Sequence, residues 1–216
     1  MIQYFGFRRK FSSIKKRVVP VIELIHKKYP DVLISIDTFH SEVAKHAVTV
    51  GASIVNDISG GNLDEKMFET VGALNVPYIL MHMQGIPETM QQNPVYENVV
   101  KEVKKFFLNK IELLHQAGVN DVILDVGFGF GKSVEHNFSL LKHLSEFKIF
   151  DLPILAGVSR KSMIHRVLKT TPDEALNGTT VLNSIALMNG ATILRVHDVT
   201  EARQAIELFK QYNAAD

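Results

Sequence analysis

The sequence predicts an α/β chain in which a parallel sheet is covered by helices. Three observations carry that prediction. Six short runs rich in β-branched residues recur along the 216 residues, each nearly continuous in apolar side chains, as strands buried on both faces are. Longer segments with apolar residues at helical spacing lie between them, joined by short connections. Polar residues then gather at the C-terminal end of every run.

Taken in chain order, the first segment is a helix over Ile14–Tyr29 with Ile14, Val18, Val21, Ile22 and Ile25 on one side and Pro20 in its first turns. A strand over Val32–Ile36 follows. Ser41 reads as the N-cap of a helix over Glu42–Val50 that Gly51 ends. Strands over Ala52–Val55 and Tyr78–Met81 come next, then a long amphipathic helix over Asn98–Ala117 closed by Gly118. The strand Val122–Leu124 leads through a glycine-rich stretch to a helix starting near Glu135. Pro153 introduces the strand Ile154–Val158. A helix over Thr180–Met188, a strand over Thr192–Val196 and a helix over Thr200–Tyr212, with Thr200 as its cap, complete the chain.

Two architectures accommodate this alternation: a closed (β/α) barrel and an open doubly wound sheet. No GxGxxG follows a first strand, which weakens the dinucleotide-binding version. The polar strand ends favour the barrel, where such ends converge on one mouth. Six strands are recognisable and a closed barrel needs eight; residues 1–13 are too few for two more βα units. The chain reads as one domain over residues 1–216.

Composition bounds the chemistry. With 24 Lys plus Arg against 23 Asp plus Glu, the near-neutral balance gives no general attraction to nucleic acid or to a membrane surface. No apolar run reaches the roughly 18 residues of a membrane span. The start has a basic cluster, Arg8-Arg9-Lys10, without the apolar stretch of a secretory signal. Cysteine is absent, which removes disulfides, thiolate metal sites and cysteine nucleophiles and fits a cytoplasmic location.

The strand ends, in order, are Ile36-Asp37-Thr38, Asn56-Asp57-Ile58-Ser59-Gly60-Gly61, Met81-His82-Met83-Gln84-Gly85, Asp125-Val126-Gly127-Phe128-Gly129-Phe130-Gly131-Lys132, Gly157-Val158-Ser159-Arg160-Lys161-Ser162 and Arg195-Val196-His197-Asp198. Any one of them has a bland explanation. An Asp after a strand commonly caps a helix, Arg-Lys on a loop is commonly solvated, and His82 is readable as a satisfied core residue. Six in succession are harder to assign to turns. Asp37, Asn56 and Asp125 suit the donor edge of a flat heterocycle, since carboxylates facing such donors make the stronger, charge-assisted hydrogen bonds. Lys161, Arg195 and His197 suit an anion such as pyrophosphate, Arg195 by a fork and Lys161 as a point charge. The Gly127–Lys132 stretch lacks the spacing of a phosphate-binding loop. Its phenylalanines read either as core or as an apolar face, Phe128 or Phe130, for an aromatic ligand.

With these motifs in this order, the chain resembles the dihydropteroate synthases. Ser35-Ile36-Asp37-Thr38, the Asn56–Gly61 run, Met81–Gly85, the loop around Pro87-Glu88-Thr89-Met90-Gln91, Gly127–Lys132, Ser159–Ser162 and Arg195–Asp198 carry the resemblance, from about Arg17 to the end. It implies a TIM (β/α)8 barrel, a homodimer using the last helices, and a magnesium-assisted condensation of a pterin pyrophosphate with p-aminobenzoate. By family position Asp37, Asn56, Asp125 and Lys161 hold the pterin, with Asp125, Lys161 and Asp37 as the catalytic set. Arg195 and His197 hold the pyrophosphate. Phe130, Ser159 and Lys161 line the p-aminobenzoate side, where sulfonamides compete.

The match has gaps. The family's opening Asn-x-Thr-Pro-Asp-Ser-Phe-Ser segment, whose Asn binds magnesium, and the following strand with its Ser-Thr-Arg-Pro-Gly loop have no counterpart, so no residue here is assigned as a metal ligand. The first two βα units are the missing ones, and residues 1–13 are unlike the family. Weak pterin binding and little or no turnover from this chain alone are therefore expected. The family's Asp-Pro-Gly stands here as Asp125-Val126-Gly127. Two other readings are a non-catalytic pterin-binding remnant and a methyltetrahydrofolate–corrinoid methyltransferase-like barrel; Ser159–Ser162 and the Phe128/Phe130 loop argue against the second.

Overall fold

The computed structural model describes residues 11–86, 90 and 93–215. Residues 1–10, and Pro87, Glu88, Thr89 and Gln91 of the loop named above, lie outside them. The architecture is α/β, with six strands among the described residues, and each described pairing is parallel. Two compact units are distinguished: residues up to Met81 with Phe107–Ile123, and His82–Phe106 with Leu124 to the C-terminus.

The first unit runs α1 (Phe11–Lys28), β1 (Ser35–Asp37), α2 (Ser41–Thr49), β2 (Ile54–Asp57), α3 (Met67–Leu74) and β3 (Tyr78–Met81). Register places Asp37 beside Asn56, and Asn56 beside Ile79. Because side chains alternate along a strand, Asp37 and Asn56 share one face while Asp57 takes the other. There Asp57 accepts from Ser59 N (2.8 Å), Ser59 Oγ (2.7 Å), Gly61 N (2.9 Å) and the Tyr78 hydroxyl (2.8 Å). These four donors fix the turn that follows Asn56. Val43, Ala44, Ala47, Val55, Met67, Val71 and Leu80 are all buried in this unit.

The second unit carries the rest. The helix α4 (Val99–Gln116) and the strand β4 (Val122–Asp125) contribute residues to both units. After them come α5 (Val134–Lys142), a 3-10 turn (Leu144–Phe150), β5 (Ile154–Ala156), α6 (Ser162–Leu168), α7 (Leu176–Met188), β6 (Ile193–Leu194) and α8 (Val199–Ala214). Asp125 pairs in register with Leu155, and Ala156 with Leu194. Leu124, Phe128, Leu140, Phe147, Ile154, Leu155 and Ile164 form its buried apolar set.

Several sequence-based boundaries need correction. The first strand starts at Ser35 rather than Val32, and Val32 and Leu33 are exposed. Within α1, Val18 and Ile22 are buried while Val21 is exposed, so the apolar stripe is narrower than the spacing suggested. Ser41 is the first helical residue of α2 instead of its cap; His40 holds the cap position, and Asp64 Oδ2 accepts from Ser41 N at 2.7 Å. Thr200 lies inside α8, whose cap position is Asp198. α7 begins four residues before Thr180, at Leu176. The helices α3 and α6 had no counterpart in the sequence reading. Ser133 caps α5 through a reciprocal box, accepting from His136 N while His136 Nδ1 accepts from Ser133 N, both at 3.2 Å. Among the described residues no helix is long and apolar enough to cross a membrane.

Candidate active site

β4 ends on Asp125, whose side chain is fully buried. Its Oδ1 accepts from Gly127 N at 2.8 Å. Its Oδ2 lies 2.8 Å from Nη2 of Arg195, which follows β6. The two form a buried ion pair. Asp125 and Arg195, which by residue type suit different parts of a ligand, are paired in the structure. Gly157, just beyond β5, makes room: a Cβ there would stand 2.9 Å from Arg195 Nη2 and 3.0 Å from Nε.

Lys161 follows β5 and reaches the Gly127–Lys132 loop, donating to the carbonyl of Phe128. Its Nζ also lies 4.8 Å from the centre of the Phe130 ring, within range of a cation–π attraction. Burial, and then the neighbouring Arg195 charge, lower the Lys161 pKa to about 7, against a smaller opposing pull from Asp125. Phe128 is fully enclosed, whereas Phe130 retains 8% of its surface. Of the two rings left open by the sequence, Phe130 is the one with an exposed edge.

Ser159 and His197 meet as well. His197 N donates to Ser159 Oγ at 3.2 Å, and Ser159 Oγ lies 2.9 Å from His197 Nδ1. Ser159 Oγ, with one proton to give and two acceptor sites, can pair with Nδ1 in either direction. Between Ser159 and Lys161, Arg160 forks onto Asp198, Nε to Oδ2 at 3.0 Å and Nη2 to Oδ1 at 2.6 Å. Its backbone is left-handed, with φ of 54°. The loops after β5 and β6 are thus clasped at two points.

Asp37 and Asn56 stand side by side at the ends of β1 and β2, both buried, at 7% and 0% exposure. All eight residues singled out therefore lie at or just beyond C-terminal strand ends. Within the second unit, Asp125 with Arg195, Lys161 with Phe130, and Ser159 with His197 come together. Lys132 and His82 were not assigned roles by sequence. Lys132 is 3% exposed, and its Nζ lies 3.0 Å from His82 Nδ1.

A parallel α/β chain with an acidic group, a guanidinium, an amine and an aromatic edge at its strand ends is of barrel-enzyme type. Residues 12–197 match the model of the pterin binding enzymes, and the chain belongs to that family. Within it, the similarity is to dihydropteroate synthases. The chain is 45% identical over 196 residues to the dihydropteroate synthase of Escherichia coli K12, covering 89% of this chain and 68% of that protein. The crystal structure of the Yersinia pestis dihydropteroate synthase in a sulfonamide drug complex superposes with a TM-score of 0.93 at 38% identity, covering 96% of this chain and 76% of that one. A Xanthomonas albilineans dihydropteroate synthase structure with 4-aminobenzoic acid gives 0.89 at 34% identity, over 96% and 74%. The expected TIM-barrel class holds, with six strands in place of eight among the described residues.

Proposed function

We propose that this chain is a dihydropteroate synthase. It condenses 6-hydroxymethyl-7,8-dihydropterin pyrophosphate with p-aminobenzoate to give 7,8-dihydropteroate and pyrophosphate in folate biosynthesis. The observation that carries this reading is the buried Asp125 carboxylate with Arg195 against it, beside the Lys161–Phe130 pair. The family pattern gives pterin binding to Asp125 and Lys161, and to Asp37 and Asn56. A site built of buried acceptors rejects analogues that lack the matching donors, because its own groups would be left unpaired.

The chemistry is a displacement at the pterin methylene. The bond from this carbon to the bridging oxygen breaks, and its electron pair leaves with pyrophosphate. Arg195 and the His197 ring stabilise the negative charge that develops there. The electron-rich pterin carries the resulting positive charge, which the carboxylate of Asp125 favours. The arylamine lone pair then forms the new C–N bond, and the nitrogen loses a proton to water. Phe130, Ser159 and Lys161 orient the arylamine. No covalent enzyme intermediate is required, in keeping with a chain without cysteine.

Magnesium is bound in such reactions largely by substrate phosphates with one or two carboxylates. Among the described residues no group of three or more His, Cys, Asp or Glu side chains is placed to hold a metal. Magnesium stays an expectation from the family, where it would add to the charge that stabilises the leaving pyrophosphate, and no step above is routed through it. A homodimer is part of the reading: α7 and α8 leave an apolar groove lined by Met188, Ala205, Leu208, Phe209 and Tyr212.

The test is incubation of the chain with both substrates and magnesium, with Asp125→Asn in parallel. Slow dihydropteroate formation, with pterin-pyrophosphate affinity at least about tenfold weaker in the variant, is the expected result. Binding without product would replace this reading by a pterin-binding remnant. Unchanged affinity in a folded Asp125→Asn protein would remove Asp125 from the site.

A further inference from the structure

Lys132 is the most completely buried amine in the second unit that the reaction above leaves unused. Its Nζ sits 3.0 Å from the carbonyl oxygen of Gly127, 2.9 Å from that of Phe130, 3.2 Å from that of His82 and 3.0 Å from His82 Nδ1. Gly127 and Phe130 are the first and last residues of one turn, closed by Phe130 N donating to Gly127 O at 3.0 Å. The amine therefore holds both ends of the turn that displays Phe130. Lys161 holds its middle, at the Phe128 carbonyl.

The acceptors are in the right state. Burial, and then the charge of Lys132, push the His82 pKa down to about 2. His82 is thus neutral and receives the lysine proton on Nδ1, with its own proton on Nε2. Its ring packs edge-on against Phe106, centroids 4.9 Å apart. Around this hub, Tyr96 donates to Gly131 O at 2.8 Å, and Gly129 N donates to Asn137 Oδ1 at 2.7 Å. At Gly127, φ of 70° and the abutting His82 carbonyl leave no space for a side chain. The charged groups that bear on Lys132 are Asp125 and Lys161.

Burial lowers the Lys132 pKa to about 7, so the charged amine is costly in such a place, and a methionine of similar length would pack without that cost. What the amine provides instead is a tie on the Gly127 and Phe130 carbonyls, beside the Phe128 carbonyl held by Lys161 and the Gly131 carbonyl held by Tyr96. We propose that Lys132 is a positioning residue for the arylamine side of the site, fixing the Gly127–Gly131 turn so that Phe130 and the Lys161 amine meet p-aminobenzoate. This rests on the proposed function. It assigns Lys132 no contact with either substrate.

The experiment compares wild type, Lys132→Met, Lys132→Gln and Tyr96→Phe, each checked for folding by circular dichroism. Amide hydrogen exchange is read at Gly129, Phe130 and Gly131, and the affinities for p-aminobenzoate and for pterin pyrophosphate are measured by calorimetry. In Lys132→Met, the turn amides should exchange at least tenfold faster and p-aminobenzoate should bind at least tenfold more weakly. Pterin pyrophosphate should stay within threefold. Lys132→Gln, which keeps donors, should recover part of both losses. Tyr96→Phe, which spares the core, should move both in the same direction by about threefold. Unchanged exchange at the turn, or equal losses for the two ligands, overturns the proposal. If wild type binds neither ligand, the functional reading fails and the substrate part of the proposal with it; the exchange data then still decide whether Lys132 pins the turn.

Discussion

The Arg195–Asp125 pair lends itself to a double-mutant cycle read by stability alone. The two groups approach to 2.8 Å, with side-chain exposures of 9% and 0%. At an effective dielectric of 20, that separation corresponds to a gross attraction of about 6 kcal/mol. Removing both ions from water costs several kcal/mol for each and offsets that attraction in the net stability, but these single-ion costs cancel in the cycle, and the coupling of a contacting pair is on the order of 0.5–3 kcal/mol. Arg195→Gln leaves a buried carboxylate without its cation and should cost about 3–5 kcal/mol. Asp125→Asn leaves the guanidinium against a neutral amide and should cost less, because Arg195 is nearer to water. The double variant should lose less than the sum of the two. Urea denaturation of the four proteins, followed by far-ultraviolet circular dichroism, gives the coupling energy directly. A coupling under about 0.5 kcal/mol, within ordinary additivity, would refute the claim that the pair is an energetic unit.

Two further outcomes follow from the same geometry. Gly157→Ala puts a methyl group 2.9 Å from Arg195 Nη2; the guanidinium, as the free end of a flexible chain, should withdraw. The fold should survive, while pterin-pyrophosphate affinity should fall by about tenfold because a displaced group loses its alignment; retained affinity in the variant would show that Arg195 does not need its present position. The Lys161 amine, lowered to about 7, is charged below that pH and neutral above it. If its positive charge holds the substrate, affinity should fall by about tenfold from pH 6 to pH 8 relative to Lys161→Met, the ratio of the two cancelling titration of the ligand itself. Parallel pH profiles for the two proteins would count against that role.

How much of this was visible in sequence depends on how local each feature is. Asp37, Asn56, Asp125 and Arg195 each stand at the end of a short apolar run, so the pattern that marks the strand also marks the residue. Lys132 gave no such signal. A lysine after a glycine-rich stretch reads as a phosphate ligand or a solvated side chain, and its burial depends on His82, fifty residues earlier. The helix starts were misread for a related reason. Ser41 has cap chemistry, but Asp64, twenty-three residues away, supplies the acceptor for its amide. α3 and α6 are only 8 and 7 residues long, too short for helical periodicity to register. α6 also ends at Lys169 in a left-handed conformation without the glycine that usually announces such an end. The Ser159–His197 and Arg160–Asp198 clasps join loops 38 residues apart, which one sequence cannot reveal.

The Arg160 fork has a bearing on how this chain can change over generations. A side chain in the left-handed region costs roughly 1–2 kcal/mol, so glycine would relax the backbone at position 160. Glycine would also remove both bonds to Asp198. Asparagine tolerates the backbone and is too short for the fork; lysine spans the distance and cannot make it. Position 160 is caught between two demands that no single replacement meets. A substitution there is expected to need a partner change at Asp198 before it is tolerated, so the two loops should drift together or not at all.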